Sequence, residues 1–428
     1  MTAAAEDAPR LPLLRATILL PAIVVAHTAV WGIALRSYAF PYPAQWALAQ
    51  YLSTLVLVVI SANLLITTRA HWLESAFGGL AKMFATHRVD GVAAALTILV
   101  HAAIVPITMP ILPGRAVGLT TLVLLESSVA LAIAPRSPWR HLLVVRYQTW
   151  KAEHRFMGVF VAAATIHSLL VPTLVRAIPL LTWWVYGIVT VGLGAYVYRE
   201  TWFRVWARRH TYRVNQAPHV GSDVLEIDLE PVRAPIAHKA GQFAFVSFAD
   251  GPTRERHPFT ISVVPSDGRL RFSVKASGDY TDMLDAAGLA EGSSASVEGP
   301  YGRFDFTRGR RRQLWVAGGI GITPFLAFLP TVDPNYEVTL VWSVHTRAEA
   351  TYLTEVEADR DLHRNVRLEL WPSDELGHLS LVNLELERPG ELSVYLCGPV
   401  AMRDAVLAQL DAIGVSRRDV HYEEFTLR

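Results

Sequence analysis

The sequence predicts a membrane bundle of six α-helices joined to an antiparallel β-barrel and then to a doubly wound parallel α/β sheet. Three observations carry this. Hydrophobic residues make up 52% of the 428, and they concentrate before about Tyr212. Six apolar runs in that half come close to the roughly 20 residues that cross a bilayer. After Thr211 the pattern shortens to strand-like alternation, and from Gln313 strands alternate with helices. The expected domains are 1–210, 211–310 and 311–428.

The apolar runs lie near 13–35, 46–68, 88–110, 117–134, 155–176 and 180–201. The first is long and lacks a small-residue cleavage site, so it reads as an anchor, not a removed signal. Of the eighteen Lys and Arg up to Arg213, fifteen lie in the N-terminus, the 69–88 and 135–155 loops and the stretch after Tyr198. The positive-inside rule then makes both termini cytoplasmic in a multi-pass cell-membrane protein. Trp150, Trp183, Trp184, Trp202 and Trp206 fall near expected helix ends, as belt residues do. The net charge of +1 gives no case for nucleic acid. A single cysteine, Cys397, excludes an internal disulfide, a Cys-rich zinc site and a Cys₄ iron–sulfur cluster.

Two expected helices that run in the same direction each carry a histidine at either end. "HRVDGVAAALTILVH" spans His87 to His101, and "HRFMGVFVAAATIH" spans His154 to His167. At 1.5 Å per residue each pair is separated by roughly 20 Å along its helix. Facing imidazoles at two levels suit six-coordinate haem iron, one haem near each membrane face. Without a CxxCH motif the haems would be b-type. Fourteen residues return near the same helix face but thirteen do not, so either the second helix is distorted or its ligands approach from different sides. His27 has no spaced partner on its helix. Glu126 reads as a neutral carboxyl hydrogen-bonded between helices.

In the second half, "VLEIDLEPV", "QFAFVSF", "PFTISVV" and "RLRFSVKAS" are barrel strands; "QLWVAGG", "EVTLVWSV", "VRLELW", "LSVYLCG" and "VHYEEF" are strands of the parallel sheet. "GGIGITPF" (Gly318, Gly319, Gly321, Thr323 and Pro324 within it) and "CGP" (Cys397, Gly398, Pro399) fall at strand carboxyl ends. Ligands of such sheets bind there, and glycine lets the backbone approach a pyrophosphate.

These motifs, with "WKAEHR", "HPFTIS", "KASGDYT" and "GPYG" in this order after six runs, resemble the ferric reductase and NADPH oxidase superfamily, transmembrane flavocytochromes b fused to a ferredoxin-reductase-like module. The resemblance spans nearly the whole chain. It implies that His257, Pro258, Phe259, Thr260 and Ser262 meet FAD: His257 on the phosphate side, Phe259 beside the ring, Thr260 near N5. Soluble relatives carry arginine where His257 stands, and Arg254 and Arg256 are the neighbouring cations that would assist. Lys275, Gly278, Asp279, Tyr280 and Thr281 would line the pyrophosphate side, and Gly299 and Pro300 the nicotinamide side. Cys397 would lie beside the nicotinamide, and Phe425 would cover the flavin face. His345 and Arg347 occupy the place of a 2′-phosphate-binding arginine, so NADPH is expected, with NADH as the alternative.

The implied activity is transmembrane electron transfer from NAD(P)H through FAD and two haems to an outer acceptor, with dioxygen giving superoxide expected first. A ferric-chelate reductase and a membrane donor to a periplasmic partner protein are the alternatives. A transporter regulated by a reductase module would lack haem absorbance.

Overall fold

The computed structural model describes residues 16–36, 43–105, 113–134, 147–203, 209–221, 223–248, 251–263, 267–384, 386 and 388–423. The chain divides into two compact units, Met1–Trp206 and Ala207–Arg428.

In the first unit the helices are α1 (Ala16–Arg36), α2 (Ala44–Ile66), α3 (His71–Phe77), α4 (Leu80–Ile104), α5 (Pro113–Ile133), α6 (Tyr147–His154), α7 (Met157–Leu170), α8 (Leu174–Ala177) and α9 (Pro179–Tyr198). Among the described residues, α1, α2, α4, α5 and α9 are long and apolar enough to cross a membrane. The run expected over 155–176 differs. It breaks at Arg155–Phe156 into α6 and α7, and α7 has only 14 residues. Side chains of α9 pack against the break. The Tyr196 hydroxyl donates to the Arg155 carbonyl at 2.9 Å. The Tyr196 ring lies over Gly158, where a Cβ would stand 2.3 Å from it. Arg155 also pairs with Glu200 at 2.7 Å, just beyond α9.

Helix α2 is the most enclosed, with 67% of its apolar window buried. Small residues let neighbours approach it: a Cβ on Gly192 of α9 would meet Ser61 at 2.6 Å. Between α3 and α4, Gly78 (φ 76°) and Gly79 (φ 115°) turn the chain through conformations that a side chain resists. Trp183 and Trp202 are 80% and 57% exposed, as belt residues should be. Trp184 is not a belt residue: its indole N–H donates to His27 Nδ1 at 3.1 Å inside the bundle. Trp150 also faces inward, its ring 5.3 Å from that of His154. Trp206 lies outside the described residues.

The second unit opens with strands β1 (Arg209–Gln216), β2 (His219–Val220), β3 (Val224–Pro231), β4 (Phe243–Phe248), β5 (His257–Val263), β6 (Leu270–Lys275) and β7 (Ser294–Tyr301). Their order is β1-β7-β4-β5-β6-β3-β2, and a further β1–β3 pairing closes six of them into an antiparallel barrel. Its interior is the alternate-residue set Tyr212, Leu225, Ile227, Val246, Ile261 and Phe272. Helix α10 (Asp279–Ala287) connects β6 to β7. The remainder holds β8 (Arg312–Gly318), α11 (Thr323–Phe328), β9 (Glu337–Val344), α12 (Leu353–Leu362), β10 (Val366–Pro372), α13 (Ser373–Leu376), β11 (Ser393–Cys397), α14 (Val400–Ala412) and β12 (Val420–Glu423). These five strands are all parallel in the order β10-β9-β8-β11-β12. Both faces are covered by apolar side chains, which is why the strands read as continuous hydrophobic runs. The order reverses between β8 and β11, so the ligand crevice of a doubly wound sheet opens at their carboxyl ends.

Candidate functional site

The histidines on α4, α6 and α7 come together in the two expected pairs. At one end of the bundle the His87 and His154 rings are 6.1 Å apart and nearly perpendicular, at 88°. Metal–imidazole bonds of about 2 Å on either side of one ion place two opposed ring centroids roughly 6 Å apart. Both Nδ1 atoms of this pair are buried and have no hydrogen-bond partner. At the other end His101 and His167 are near enough for their charges to interact. Here each Nδ1 lies 2.7 Å from a backbone carbonyl, Ala49 for His101 and Gly114 for His167. A carbonyl only accepts, so each Nδ1 carries its hydrogen and each Nε2 keeps its lone pair. That second bond is the one metal-binding histidines make. Gly118 of α5 makes room for the ring, since a Cβ there would sit 2.6 Å from His167. The break between α6 and α7 resolves the thirteen-residue mismatch: His154 ends one helix and His167 lies on the next. Among the described residues there is no cluster of three or more metal-ligating side chains. Each pair brings two imidazoles together, a donor set that would fit haem iron.

His27 is fully buried and satisfied by Thr54, Tyr51 and Trp184, so it is a packing residue. The expected hydrogen bond at Glu126 is not seen at its buried Oε1. Sequence reasoning passed over Asp90, one turn from His87. It is fully buried and neither carboxylate oxygen has a partner.

In the barrel, β5 carries the "HPFTIS" residues. The His257 ring stacks on Tyr280 of α10 at 3.5 Å and 14°, and the Phe259 ring lies 6.5 Å from that of Tyr280. His257 Nε2 is 3.2 Å from Glu255. Pro258 and Phe259 are half-buried, and Thr260 is buried opposite Phe243. Arg256 is held by the buried Glu298 at 2.7 Å, and Glu298 also accepts from Tyr301 at 3.1 Å. Glu298 was not singled out from the sequence, because it reads as an ordinary strand carboxylate. At the head of α10, a Cβ on Gly278 would meet nothing within 4 Å. Asp279 and Tyr280 open that helix, and Thr281 donates to the Gly278 carbonyl. An open helix N-terminus suits a pyrophosphate. The residues fit FAD on this side.

Ser262 is placed differently from the other four expected flavin contacts on β5. Its side chain is fully buried and donates to the Arg271 carbonyl at 2.9 Å, while Arg271 Nε approaches Ser262 Oγ at 3.3 Å. Arg271 in turn makes two bonds to Glu355 of α12, at 2.6 and 3.0 Å. Tyr352 donates to Glu226 at 3.0 Å and accepts from the Ser273 hydroxyl at 2.7 Å. Strands β3, β5 and β6 of the barrel are thereby joined to the head of α12 in the sheet domain. Burial disfavours the Arg271 charge, but Glu355 and Glu226 more than offset it and hold its pKa above the ordinary value. Lys275 behaves alike: burial opposes its charge, and Asp223 at 3.0 Å and Glu349 at 3.4 Å outweigh that.

A crevice between barrel and sheet is lined by Asp223, Lys275, Gly319, Ile320, Trp342 and Tyr352. The glycines at its mouth have different tasks. Gly319 (φ 54°) faces open space, and its carbonyl is fixed by the Trp342 indole at 2.9 Å. A Cβ on Gly321 would lie 2.2 Å from the Cys397 carbonyl, and one on Gly318 would meet Met402 at 2.5 Å. A Cβ on Gly398 would meet the Gly318 backbone at 3.1 Å. Three of the four thus allow close packing at the carboxyl ends of β8 and β11, and Gly319 alone of the four faces open space. Thr323 and Pro324 are buried at the start of α11, and Pro399 precedes α14. Cys397 is fully buried, and burial, then the Glu423 charge, pushes its thiol well above the ordinary range. Gly299 and Pro300 lie at the end of β7. His345 and Arg347 follow β9, where Arg347 pairs with Glu375 at 2.9 Å. Phe425 lies outside the described residues.

Comparison with known proteins agrees with this geometry. Residues 209–305 match the family model of a FAD-binding domain, and residues 315–407 match that of an oxidoreductase NAD-binding domain. The reductase component of propane 2-monooxygenase from Rhodococcus jostii is 26% identical over 50% of this chain and 63% of its own length. A flavohemoprotein from Vibrio cholerae is 25% identical over 54% of this chain and 62% of its own. NADPH oxidase 3 of Rattus norvegicus is 29% identical over 31% of this chain and 25% of its own. The chain spans less than two thirds of the length of these relatives. A crystal structure of flavohemoglobin from Malassezia yamatoensis is similar in fold, with a TM-score of 0.52, 17% identity, and coverage of 90% of this chain and 99% of that one. Residues 209–305 and 315–407 thus form a FAD-binding domain and an oxidoreductase NAD-binding domain with the ferredoxin-reductase-like fold, a pair similar to that of the flavohemoprotein and NADPH oxidase relatives.

Proposed function

We propose that this protein carries electrons across a membrane, from NAD(P)H on the cytoplasmic side to an acceptor on the outer face. The observation that carries the reading is the pair of histidine levels: His87 with His154, and His101 with His167, the latter two with Nδ1 committed to carbonyls. When bound, FAD converts a hydride into single electrons and two haems relay them one at a time. The chain's own part is positioning. His257, Tyr280 and the open head of α10 hold the flavin's phosphate side, with Thr260 near N5. Gly319 takes the nucleotide pyrophosphate. The Ala49 and Gly114 carbonyls fix the outer imidazoles with Nε2 toward the iron.

Dioxygen is the acceptor this reading favours, because two histidines per iron leave no open coordination site and transfer at the haem edge suits a small outer-sphere acceptor. Each NAD(P)H would then yield two superoxide ions, oxidised nucleotide and one proton. Ferric chelate reduction is the second reading. It is favoured by Arg176, whose guanidinium donates to the Leu169 carbonyl at 2.8 Å near the outer end of α7, where it would attract an anion. The test supplies NAD(P)H to purified full-length protein in aerobic and anaerobic buffer, with and without ferric citrate. Superoxide-dismutase-sensitive reduction of cytochrome c in air is expected. Nucleotide oxidation that requires the chelate and gives no superoxide would transfer the assignment to ferric reductase.

A further inference from the structure

The sequence leaves NADPH and NADH open and puts the weight on His345 and Arg347 as phosphate ligands. Their surroundings point the other way. Strands β9 and β10 are adjacent and parallel, with Val344 paired to Pro372. The turn after β9 therefore meets the turn after β10. His345 Nδ1 lies 3.4 Å from Ser373 Oγ, and its carbonyl accepts from the Asp374 N–H at 3.0 Å. Arg347 Nε lies 2.9 and 3.3 Å from the two oxygens of Glu375.

We infer that this chain selects NADH over NADPH, with Glu375 the residue that opposes the 2′-phosphate by occupying Arg347 and adding a negative charge beside it. The inference rests on the nicotinamide-dependent reading above. A 2′-phosphate carries close to two negative charges near neutral pH. At the turn it would meet, Arg347 stands against Glu375, with Asp374 next to it on the same turn. In the crevice beside Gly319, Lys275 is likewise shared between Asp223 and Glu349. The Arg347–Glu375 pair is exposed on both sides, so its own strength is small and a phosphate could compete for the arginine. It would do so against a surplus of negative charge. An unphosphorylated ribose has no such conflict, and its 2′-hydroxyl can donate to a carboxylate, as in NAD-binding sheets.

The test uses full-length flavin-loaded protein and follows anaerobic bleaching of the flavin by NADH and by NADPH. This reading needs neither haem nor acceptor. NADH is expected to be the better reductant by about tenfold in the ratio of limiting rate to half-saturating concentration, the scale of one modest electrostatic contact. Glu375→Gln should raise the NADPH value relative to NADH at least about fivefold, and adding Arg347→Gln to that variant should reverse the gain. Higher salt should narrow the wild-type preference, since the repulsion is screened. A wild type that prefers NADPH, or a Glu375→Gln variant with an unmoved ratio, overturns the inference. Flavin that neither nucleotide reduces overturns the nicotinamide reading beneath it as well. Flavin content measured on each variant separates loss of selectivity from loss of fold.

Discussion

Single residues at the two ends of the protein carry separable tasks. His101→Leu or His167→Leu should remove the outer haem and leave about half the haem of the wild type, read by pyridine haemochrome content. His87→Leu or His154→Leu should remove the inner one. Retention of full haem after any of these changes would strike that residue from the ligand set. The glycines of the crevice give a second contrast. Gly321→Val drives a side chain into the Cys397 carbonyl, and overpacking of this kind costs about 3 kcal/mol. The expected result is a lower melting temperature of the module together with loss of nucleotide response. Gly319→Asn meets no neighbour and keeps a residue that tolerates positive φ. It should raise the KM for the nucleotide while flavin content and melting temperature hold. Equal damage from both would mean that Gly319 is also a packing residue.

At the scale of elements, the break between α6 and α7 is what allows histidines thirteen apart to serve two levels. It is held from α9 by the Tyr196 hydroxyl on the Arg155 carbonyl and by the Tyr196 ring over Gly158. Tyr196→Phe keeps the ring and removes one hydrogen bond, a loss of about 1 kcal/mol. Its expected signature is a shifted midpoint potential of the inner haem with the outer one unmoved. Gly158→Val forces the ring away and should lose the inner haem outright. The same comparison separates what could be read beforehand from what could not. The thirteen-residue spacing announced that either this helix bends or its ligands approach from different sides. It could not say which, because the tyrosine packed against the break comes some forty residues later in the chain.

At the scale of the whole module, the Arg271, Glu355, Glu226 and Tyr352 hub ties the barrel to α12, and Lys275 repeats the tie through Asp223 and Glu349. Within these ties Arg271, Lys275 and Tyr352 have pKa values raised on folding, as do Tyr280 and Tyr395, for which burial is the first cause. A raised folded-state pKa gives stability that is complete below the unfolded value and is lost as pH rises through the folded one. For lysine and tyrosine that loss begins at about pH 10. Thermal melts of the protein should therefore hold up to that point and fall beyond it, and Tyr352→Phe should make the fall shallower. Glu355→Gln breaks the Arg271 pair without adding bulk. It should slow flavin reduction by nucleotide several-fold more than it changes nucleotide half-saturation, because the tie sets how the two domains meet, not how either binds its ligand.

The sequence by itself determined the composition of the two halves, the helical character of the apolar runs, the closed barrel, the parallel sheet and the two histidine levels. Each of these follows from a local period or spacing, and local periods survive without tertiary contacts. Only the tertiary structure decided which residues were spent on packing. Ser262 and Trp184 carry polar groups suited to a ligand or a membrane surface, yet each is hydrogen-bonded to a residue outside its own element. Arg347 is paired with Glu375 for the same reason: parallel strands place successive crossover turns side by side, and that proximity is set by the sheet, not by the residues flanking either turn.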